Sequence, residues 1–365
     1  MARTALGEVG AKPDGVPVKA LENFVAELFA TQGLATHDAF IVARCLVEAD
    51  ARGVVSHGVG RVPIYLERLR LGVVKPRPMF VLDELAPAAA RLDGDNGLGF
   101  LVAHRAMAEA IERARNFGIG LVLAYHSNHF GMAASYLRQA IEAGMAAFVF
   151  TNASPAMPVW GGRTPFLGTS PFAFGTPGGT RSGPLVLDMA TSVVARGKIR
   201  RAVAQNQPIP EGWALDSEGR PTTNAREAYE GLILPLGGPK GSGLSLMMEV
   251  LAGVMSGSAF GGEVGNQYLD KSSPQNVGHC FIALRPELAV SADEYRDRLD
   301  ALVERAKATP RMDAAQPILM PGEPEALIEA ARRRDGIPLS TEDRAALIAE
   351  AEILDLALPA FLSET

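Results

Sequence analysis

Cysteine is nearly absent from these 365 residues: only Cys45 and Cys280 occur, in unrelated contexts. That excludes a disulfide framework and a cysteine-based metal cluster, and suits a reducing cytoplasm. No apolar run approaches the ~18 residues that span a bilayer, so no membrane partner is expected. The opening stretch, residues 1–20, carries Glu8, Lys12, Pro13 and Asp14 with no apolar leader, so we expect a soluble, unexported, cytoplasmic protein. Basic blocks are missing too. The balance of 35 Lys+Arg against 41 Asp+Glu gives a net charge of −6, which argues against a nucleic-acid partner. Also lacking are Gly-x-Gly-x-x-Gly after a strand, the P-loop pattern and His-Glu-x-x-His, so a bound nucleotide would not use the common loops. His126 and His129 are the only histidines close in sequence and have no carboxylate beside them, so no metal is expected.

What is present is a folded globular composition, 47% hydrophobic and 21% charged, long enough for two domains or three small ones. The 38 Gly and 25 Pro concentrate between residues 152 and 243, implying ordered, turn-rich loops that often carry function. Helical periodicity runs through residues 17–71, with Gly33 ending the first helix, Thr36 placed as an N-cap, and a third helix over about 62–71 ending at Gly72. Pro76 and Pro78 mark a boundary. Beyond it, 103–116 reads as a helix, 119–125 as a buried strand, 132–142 as a helix and 145–150 as a strand. That succession is a βαβ unit and predicts a partly parallel sheet, with ligands at the loop 126–131. Strands are predicted at 171–175, 185–187 and 276–284. Helices are predicted at 191–205, 244–255 after a glycine-rich loop 234–243, 292–307 and 324–331. The resulting division is a helical substrate-binding segment 1–77, an α/β domain 78–290 and a helical segment 291–365 packing on the first.

Four constellations could carry chemistry. Ser56 and His57 precede the third helix, and Arg61 and Tyr65 share one of its faces, an arrangement suited to a carboxylate gripped by the Arg fork. A capping serine beside surface His and Arg is the plainer reading of the same residues. His129, between a buried strand and a helix, could exchange a proton at neutral pH or be a structural histidine. Asp188, closing an apolar strand, either caps the next helix or faces His57 and fixes its tautomer. The stretch 237–243, with Lys240, could cradle a pyrophosphate or be a simple turn.

Seven motifs occur in order: Ser56-His-Gly-Val-Gly-Arg61, Ser127-Asn-His-Phe-Gly131, Gly168-Thr-Ser-Pro-Phe-Ala-Phe-Gly175, Leu187-Asp-Met-Ala-Thr191, Ala195-Arg-Gly-Lys198, Ile209-Pro-Glu-Gly-Trp-Ala214 and Leu236-Gly-Gly-Pro-Lys-Gly241. Together, from about residue 18 to 285, they resemble the malate/L-lactate dehydrogenase family that is unrelated to the Rossmann dehydrogenases. The resemblance implies a mixed α/β (α+β) fold: a non-Rossmann NAD(P)-binding domain with a mixed sheet, flanked by helical N- and C-terminal segments. It implies hydride transfer between NAD or NADP and the carbon alpha to a carboxylate. His129 would be the acid/base, with His57 and Ser56 beside nicotinamide and substrate and Asp188 in the relay of imine-reducing members. Arg61, Tyr65 and Thr169 would hold the acid. Cofactor contacts would come from His57, Phe130, Gly131, Asn152 and Ser154, from Leu187, Asp188 and Met189, and from Lys240, Gly241, Gly278 and His279. A homodimer with sites at the subunit interface is implied as well. Ser242 stands where many relatives have tyrosine, and Ala153 where some have serine.

The two lines of reasoning converge on a 2-hydroxy-acid dehydrogenase working on a small carboxylic acid. A cyclic imino-acid reductase and a silent nucleotide-binding relative are the alternatives. A serine hydrolase on Ser56 or Ser242 lacks the Gly-x-Ser-x-Gly elbow.

Overall fold

A computed structural model describes residues 15–363. The positions 1–14, most of the stretch read above as lacking a leader, lie outside the described residues.

Helices α1 (Val18–Thr31), α2 (Thr36–Ala51) and α3 (Val62–Arg70) realise the amphipathic stripes, burying Leu21, Leu28, Phe29, Val42, Leu46 and Leu66. Ala35, not Thr36, caps α2, and the Thr36 side chain makes no capping bond. After the antiparallel hairpin β1 (Val81–Ala86) and β2 (Ala89–Asp93) come α4 (Gly99–Phe117), β3 (Ile119–Ser127), α5 (Ala134–Glu142) and β4 (Ala146–Thr151). The second antiparallel hairpin is β5 (Phe172–Thr176) and β6 (Leu185–Met189). A satellite follows: α6 (Arg196–Ala204), β7 (Ala214–Leu215), β8 (Pro221–Thr222), α7 (Ala225–Glu230) and β9 (Leu232–Ile233), built around Ile199, Ile209 and Ala228. Then come α8 (Pro239–Met248), running directly into a π-helical stretch Glu249–Val254, and β10 (Val277–Leu284). The chain closes with α9 (Ala292–Lys307), α10 (Glu323–Asp335), α11 (Thr341–Ile353) and the short α12 (Ala360–Ser363).

The main sheet has seven strands in the order β1-β2-β3-β10-β4-β5-β6, and only the β2–β3 pair is parallel. The predicted βαβ unit is therefore split: β3 and β4 run the same way, but β10 lies between them, antiparallel to both. The alternation of β10 explains the insertion. Phe281 and Ala283 face the core shared with α4 and α5, while Cys280 faces Leu123, Phe150 and Met248 on the other side. Covering both faces of this strand is what makes a central position favourable.

Two predicted helices shift. Residues 191–195 are extended because Thr191 N–H donates to the Thr169 carbonyl and Val193 N–H to Leu234, so α6 starts at Arg196. Conversely, the helix expected from 244 starts at Pro239, whose missing N–H suits a first-turn position. Ile337, Leu347, Ala351 and Leu362 share one apolar cluster with α1–α3, whereas α9 packs on the β5–β6 side, where Asp300 accepts backbone N–H bonds from Thr180, Arg181 and Ser182. Among the described residues no helix is long and apolar enough to cross a membrane.

Candidate active site

The loop between α2 and α3 is two 3₁₀ turns, residues 55–57 and 59–61, and its shape has an identifiable cause. Asp50, buried in α2, accepts the Val59 N–H at 2.7 Å, and a Cβ on Gly58 would lie 1.9 Å from that carboxylate. Burial, with Asp343 adding to it, pushes the Asp50 carboxyl up to about 7 against the pull of the Val59 amide and Arg332. The loop so formed presents Ser56, His57 and Arg61. Ser56 Oγ lies 2.9 Å from His57 Nδ1, and Arg61 Nε–H donates to the Ser56 carbonyl, fixing the guanidinium against the turn.

His129 arrives from the opposite side, on the loop between β3 and α5. Its ring stacks on His57, centroids 5.6 Å apart and planes 14° from parallel. Tyr65, buried at 3% exposure and edge-on to Phe100, places its hydroxyl 2.7 Å from His129 Nδ1. The same nitrogen accepts the Gly131 N–H at 3.2 Å, which Gly131 can offer because its φ is +77°. A backbone amide only donates, so Nδ1 is an acceptor and the proton of the neutral ring sits on Nε2. Burial, then Arg61, His57 and His279, hold His129 well below its usual pKa, and burial with Arg61 takes His57 down to about 3. Both imidazoles are therefore neutral at pH 7. Burial raises the Tyr65 phenol, while Arg61 beside it pulls the other way.

Arg61 has no carboxylate partner among the described residues; its Nη1 donates to the Tyr268 hydroxyl at 3.1 Å. An unpaired guanidinium beside two neutral imidazoles is a site for an anion. His126, by contrast, turns away to Asp93 at 3.1 Å, and among the described residues no group of three or more His, Cys, Asp or Glu side chains is placed to hold a metal.

The cofactor residues separate into two sets. Ser154, Leu187–Met189 and Lys240 lie, together with Thr169 from the acid-holding set, on connected backbone: Gly168 packs on Ala153, Thr191 N–H donates to Thr169, Leu236 N–H donates to Thr191, and Gly241 N–H returns to Leu236. Gly237 and Gly238 take φ of +59° and +62° to open α8, leaving Lys240 exposed at its first turn. Two buried hydroxyls in this layer, Ser170 Oγ and Thr191 Oγ1, have no partner among the described residues. Glycine cradle, helix N-terminus, exposed ammonium and unpaired hydroxyls fit a pyrophosphate-bearing dinucleotide.

The second set is buried. His279 has no exposed surface; its two nitrogens bond Thr151 and Ser127 at 2.8 Å each, and Phe130 stacks on it. Asn152 is likewise buried, donating to the Ala259 carbonyl and accepting from Gly278 N–H, and a Cβ on Gly278 would lie 1.7 Å from the Ala252 carbonyl. Asn152, Phe130, Gly278 and His279 thus form a buried wall behind the site. Asp188 caps a helix, but it is α5, earlier in the chain, and not the next one as expected: it accepts the Ala134 N–H at 2.8 Å, and no bond joins it to His57. Although it lies at the surface, the surrounding protein pushes it up to about 6, against the backbone N–H groups of Ala134 and Ala133.

Sequence reasoning passed over Asp50, Arg68, Tyr268 and Gln275. Arg68 could have been found, since it continues the Arg61–Tyr65 face at the next helical interval. Gln275, whose Oε1 accepts the His129 N–H at 3.0 Å, offers no such signal.

The sequence profile described as malate/L-lactate dehydrogenase matches residues 16–347. The L-sulfolactate dehydrogenase of Methanocaldococcus jannaschii is 39% identical over 322 residues, 87% of this chain and 91% of that protein. Its solved structure superposes with a TM-score of 0.88, covering 94% of this chain and 98% of that one. The (2R)-3-sulfolactate dehydrogenase (NADP(+)) of Chromohalobacter salexigens is 37% identical over 79% of this chain and 86% of its own length. The ureidoglycolate dehydrogenase (NAD(+)) of Escherichia coli O157:H7 is 33% identical over 91% of this chain and 94% of its own.

Proposed function

The chain belongs to the malate/L-lactate dehydrogenase family, and from that premise we propose that it interconverts a 2-hydroxy acid and the corresponding 2-oxo acid at the Arg61–His129 recess. It is an NAD(P)-dependent oxidoreductase. NAD(P)H, when bound, supplies the hydride to the oxo carbon. Arg61 holds the substrate carboxylate with the end of its fork that Ser56 leaves free. His129 Nε2–H gives its proton to the oxygen on which charge develops, and Nδ1 takes the Tyr65 phenol proton in the same movement. Burial disfavours the phenolate left behind and Arg61 offsets part of that penalty until solvent returns the proton, so the ring itself never becomes an imidazolate. Ser56 keeps His57 oriented beside the reacting carbon.

The observation that carries this reading is the doubly hydrogen-bonded Nδ1 of a neutral His129 next to an Arg without an acid partner. Lys240 and the Gly237–Gly238 turn are proposed to hold the pyrophosphate, with Leu187, Met189 and Ser154 lining the nicotinamide side. Asp188 supports that wall through α5 instead of relaying protons. The protein is further proposed to be a cytoplasmic homodimer. Leu246, Met247, Val250, Val254 and Met255 form one exposed apolar ridge along α8 and its π-helical extension, too continuous for a free surface, and both thiols are free and buried.

The test is absorbance at 340 nm with NADH and NADPH against oxaloacetate, pyruvate, sulfopyruvate and a cyclic imine of an amino acid. Oxidation with a 2-oxo acid is expected. Activity with the imine alone would refute the 2-oxo-acid reading in favour of an imino-acid reductase.

A further inference from the structure

The turn 55–61 is held from outside as well as from α2. A Cβ on Gly60 would lie 2.3 Å from the carboxylate of Asp343, in the first turn of α11, and one on Gly58 would lie 1.9 Å from that of Asp50. Two acids from distant helices therefore press on the glycines either side of Val59, whose N–H goes to Asp50. Asp343 is fixed in this position by its own helix cap: Ser340 Oγ accepts the Asp343 N–H at 3.0 Å and donates to Asp343 Oδ2 at 2.8 Å, leaving Oδ1 against Gly60. The same C-terminal helices grip the elements on both sides of the turn. From α10, Arg332 donates to the Asp50 carbonyl and Glu329 accepts from Arg52 at 2.8 Å; from α11, Glu350 pairs with Arg70 of α3 at 2.6 Å. Inside the turn, Arg61 donates its backbone N–H to the Gly58 carbonyl and its Nε–H to the Ser56 carbonyl, so a shift of Gly58–Gly60 against Ser56 moves the guanidinium.

Asp50 and Asp343 bring like charge to one three-residue segment. Burial first, then the Asp343 charge from α11, raise the Asp50 carboxyl to about 7, against the Val59 amide of the turn and the Arg332 charge from α10. Below that pH the pair carries one negative charge, and above it two. We propose that Asp343 is a positioning residue of the carboxylate grip: with Asp50 it clasps Gly58–Gly60, and a second negative charge on the clasp pushes the turn open and draws Arg61 away from the substrate acid. The C-terminal helices thereby act on the site without reaching into it. Glycine is required at 58 and 60 because a side chain at either position would displace the carboxylate that holds it. The effect falls on binding, since the clasp holds the Arg61 turn, whereas the proton source, Tyr65 with His129, is assembled from α3 and the β3–α5 loop.

The kinetic arm of the test rests on the 2-hydroxy-acid reading, and a second arm does not. KM for pyruvate or oxaloacetate, whichever the wild type reduces, is measured with kcat between pH 6 and pH 8 under saturating nucleotide for wild type and Asp343→Asn. If only the singly charged clasp grips, the competent fraction falls about tenfold over that interval, so the wild-type KM should rise by about the same factor with kcat within about 2-fold. Asparagine keeps an oxygen for Ser340 and the contact with Gly60 while removing the charge, so the KM of Asp343→Asn should stay within about 2-fold across the range. A merely structural residue would shift KM by one factor at every pH. A flat wild-type KM, or a rise that persists in Asp343→Asn, would overturn the proposal and leave the reaction in place. Independently of turnover, hydrogen exchange of the peptide 55–61, corrected for the intrinsic effect of pH, should lose protection from pH 6 to pH 8 in wild type and keep it in Asp343→Asn. A wild type that reduces neither acid would count against the reaction assigned above, and exchange would then decide the clasp: equal protection in the two proteins would overturn it.

Discussion

Replacing Tyr65 by phenylalanine isolates the proton source from everything else in the recess. The ring still packs edge-on to Phe100 and buries the same surface, and His129 Nδ1 keeps the Gly131 N–H, so tautomer and orientation survive. What disappears is the 2.7 Å hydroxyl that refills Nδ1 as Nε2 gives up its proton. Without it, oxo-acid reduction proceeds only through the imidazolium form of His129. Burial and the Arg61 charge hold that form well below its usual pKa, and every pH unit between that pKa and the assay divides its population by about ten. At pH 7 we expect kcat for reduction to fall about 10²-fold, the lower end of what general acid catalysis contributes, with the acid's KM within about 3-fold. The pH dependence carries the sharper sign. Protonation of the ring increases as pH falls, so the variant's rate should climb about tenfold per unit from pH 8 toward pH 6, while the wild type stays nearly flat. Stopped-flow absorbance at 340 nm across that range measures it directly. A kcat within twofold of wild type, or a loss independent of pH, would refute the relay and leave Tyr65 as a wall of the pocket.

His129→Ala should cut turnover by about 10²–10⁴-fold yet leave nucleotide binding, read by fluorescence quenching, within about twofold. Arg61→Lys should raise the acid's KM about tenfold or more with a smaller change in kcat, because an ammonium cannot keep both the Ser56 carbonyl and a carboxylate; an unaffected KM would assign the carboxylate to another residue. Gly58→Ala would drive a Cβ into the Asp50 carboxylate and should destabilise the protein by about 1–3 kcal/mol in urea while disordering the His57 turn. Asp50 has a folded pKa of about 7 against an ordinary value near 3.8, so its proton-linked stabilisation is full below 3.8 and gone above about 7. Asp50→Asn should flatten the urea-stability profile between pH 5 and 8, removing a slope on the order of a few kcal/mol; an unchanged profile would show that Asp50 is ionised throughout.

The parts of this molecule that were legible in advance are those governed by local physics. Periodic stripes announced α1 and α2, and β3 announced itself by an unbroken apolar run. His129 could be singled out because a strand-to-helix loop is where a side chain is presented to a ligand. The larger failures are non-local. Nothing within residues 119–151 indicates that a strand from 277–284 will enter between its two strands. Residues 191–195 are expected in a helix but are held out of it by hydrogen bonds to Thr169 and Leu234. The two-residue strands β7, β8 and β9 are too short to show a period. Tyr268 meets Arg61 across a gap of 207 positions, and no spacing rule reaches that far. Asp188 shows a different limit, because its composition allowed both a cap and a relay and only the position of α5 decided between them.

The central place of β10 also fixes when this protein can fold during its synthesis. Until residues 277–284 leave the ribosome, β3 and β4 have no partner along the edges they will later share with it. Thr151 precedes Leu284 by 133 positions, an interval on the order of ten seconds at ordinary elongation rates. For that time the nascent chain exposes two open, strongly apolar strand edges, the kind of surface that pairs with other chains. The His129 loop and the Ser127–His279–Thr151 wall behind it are completed by the same late strand, so a chain halted anywhere before residue 277 has neither a closed sheet nor a catalytic recess.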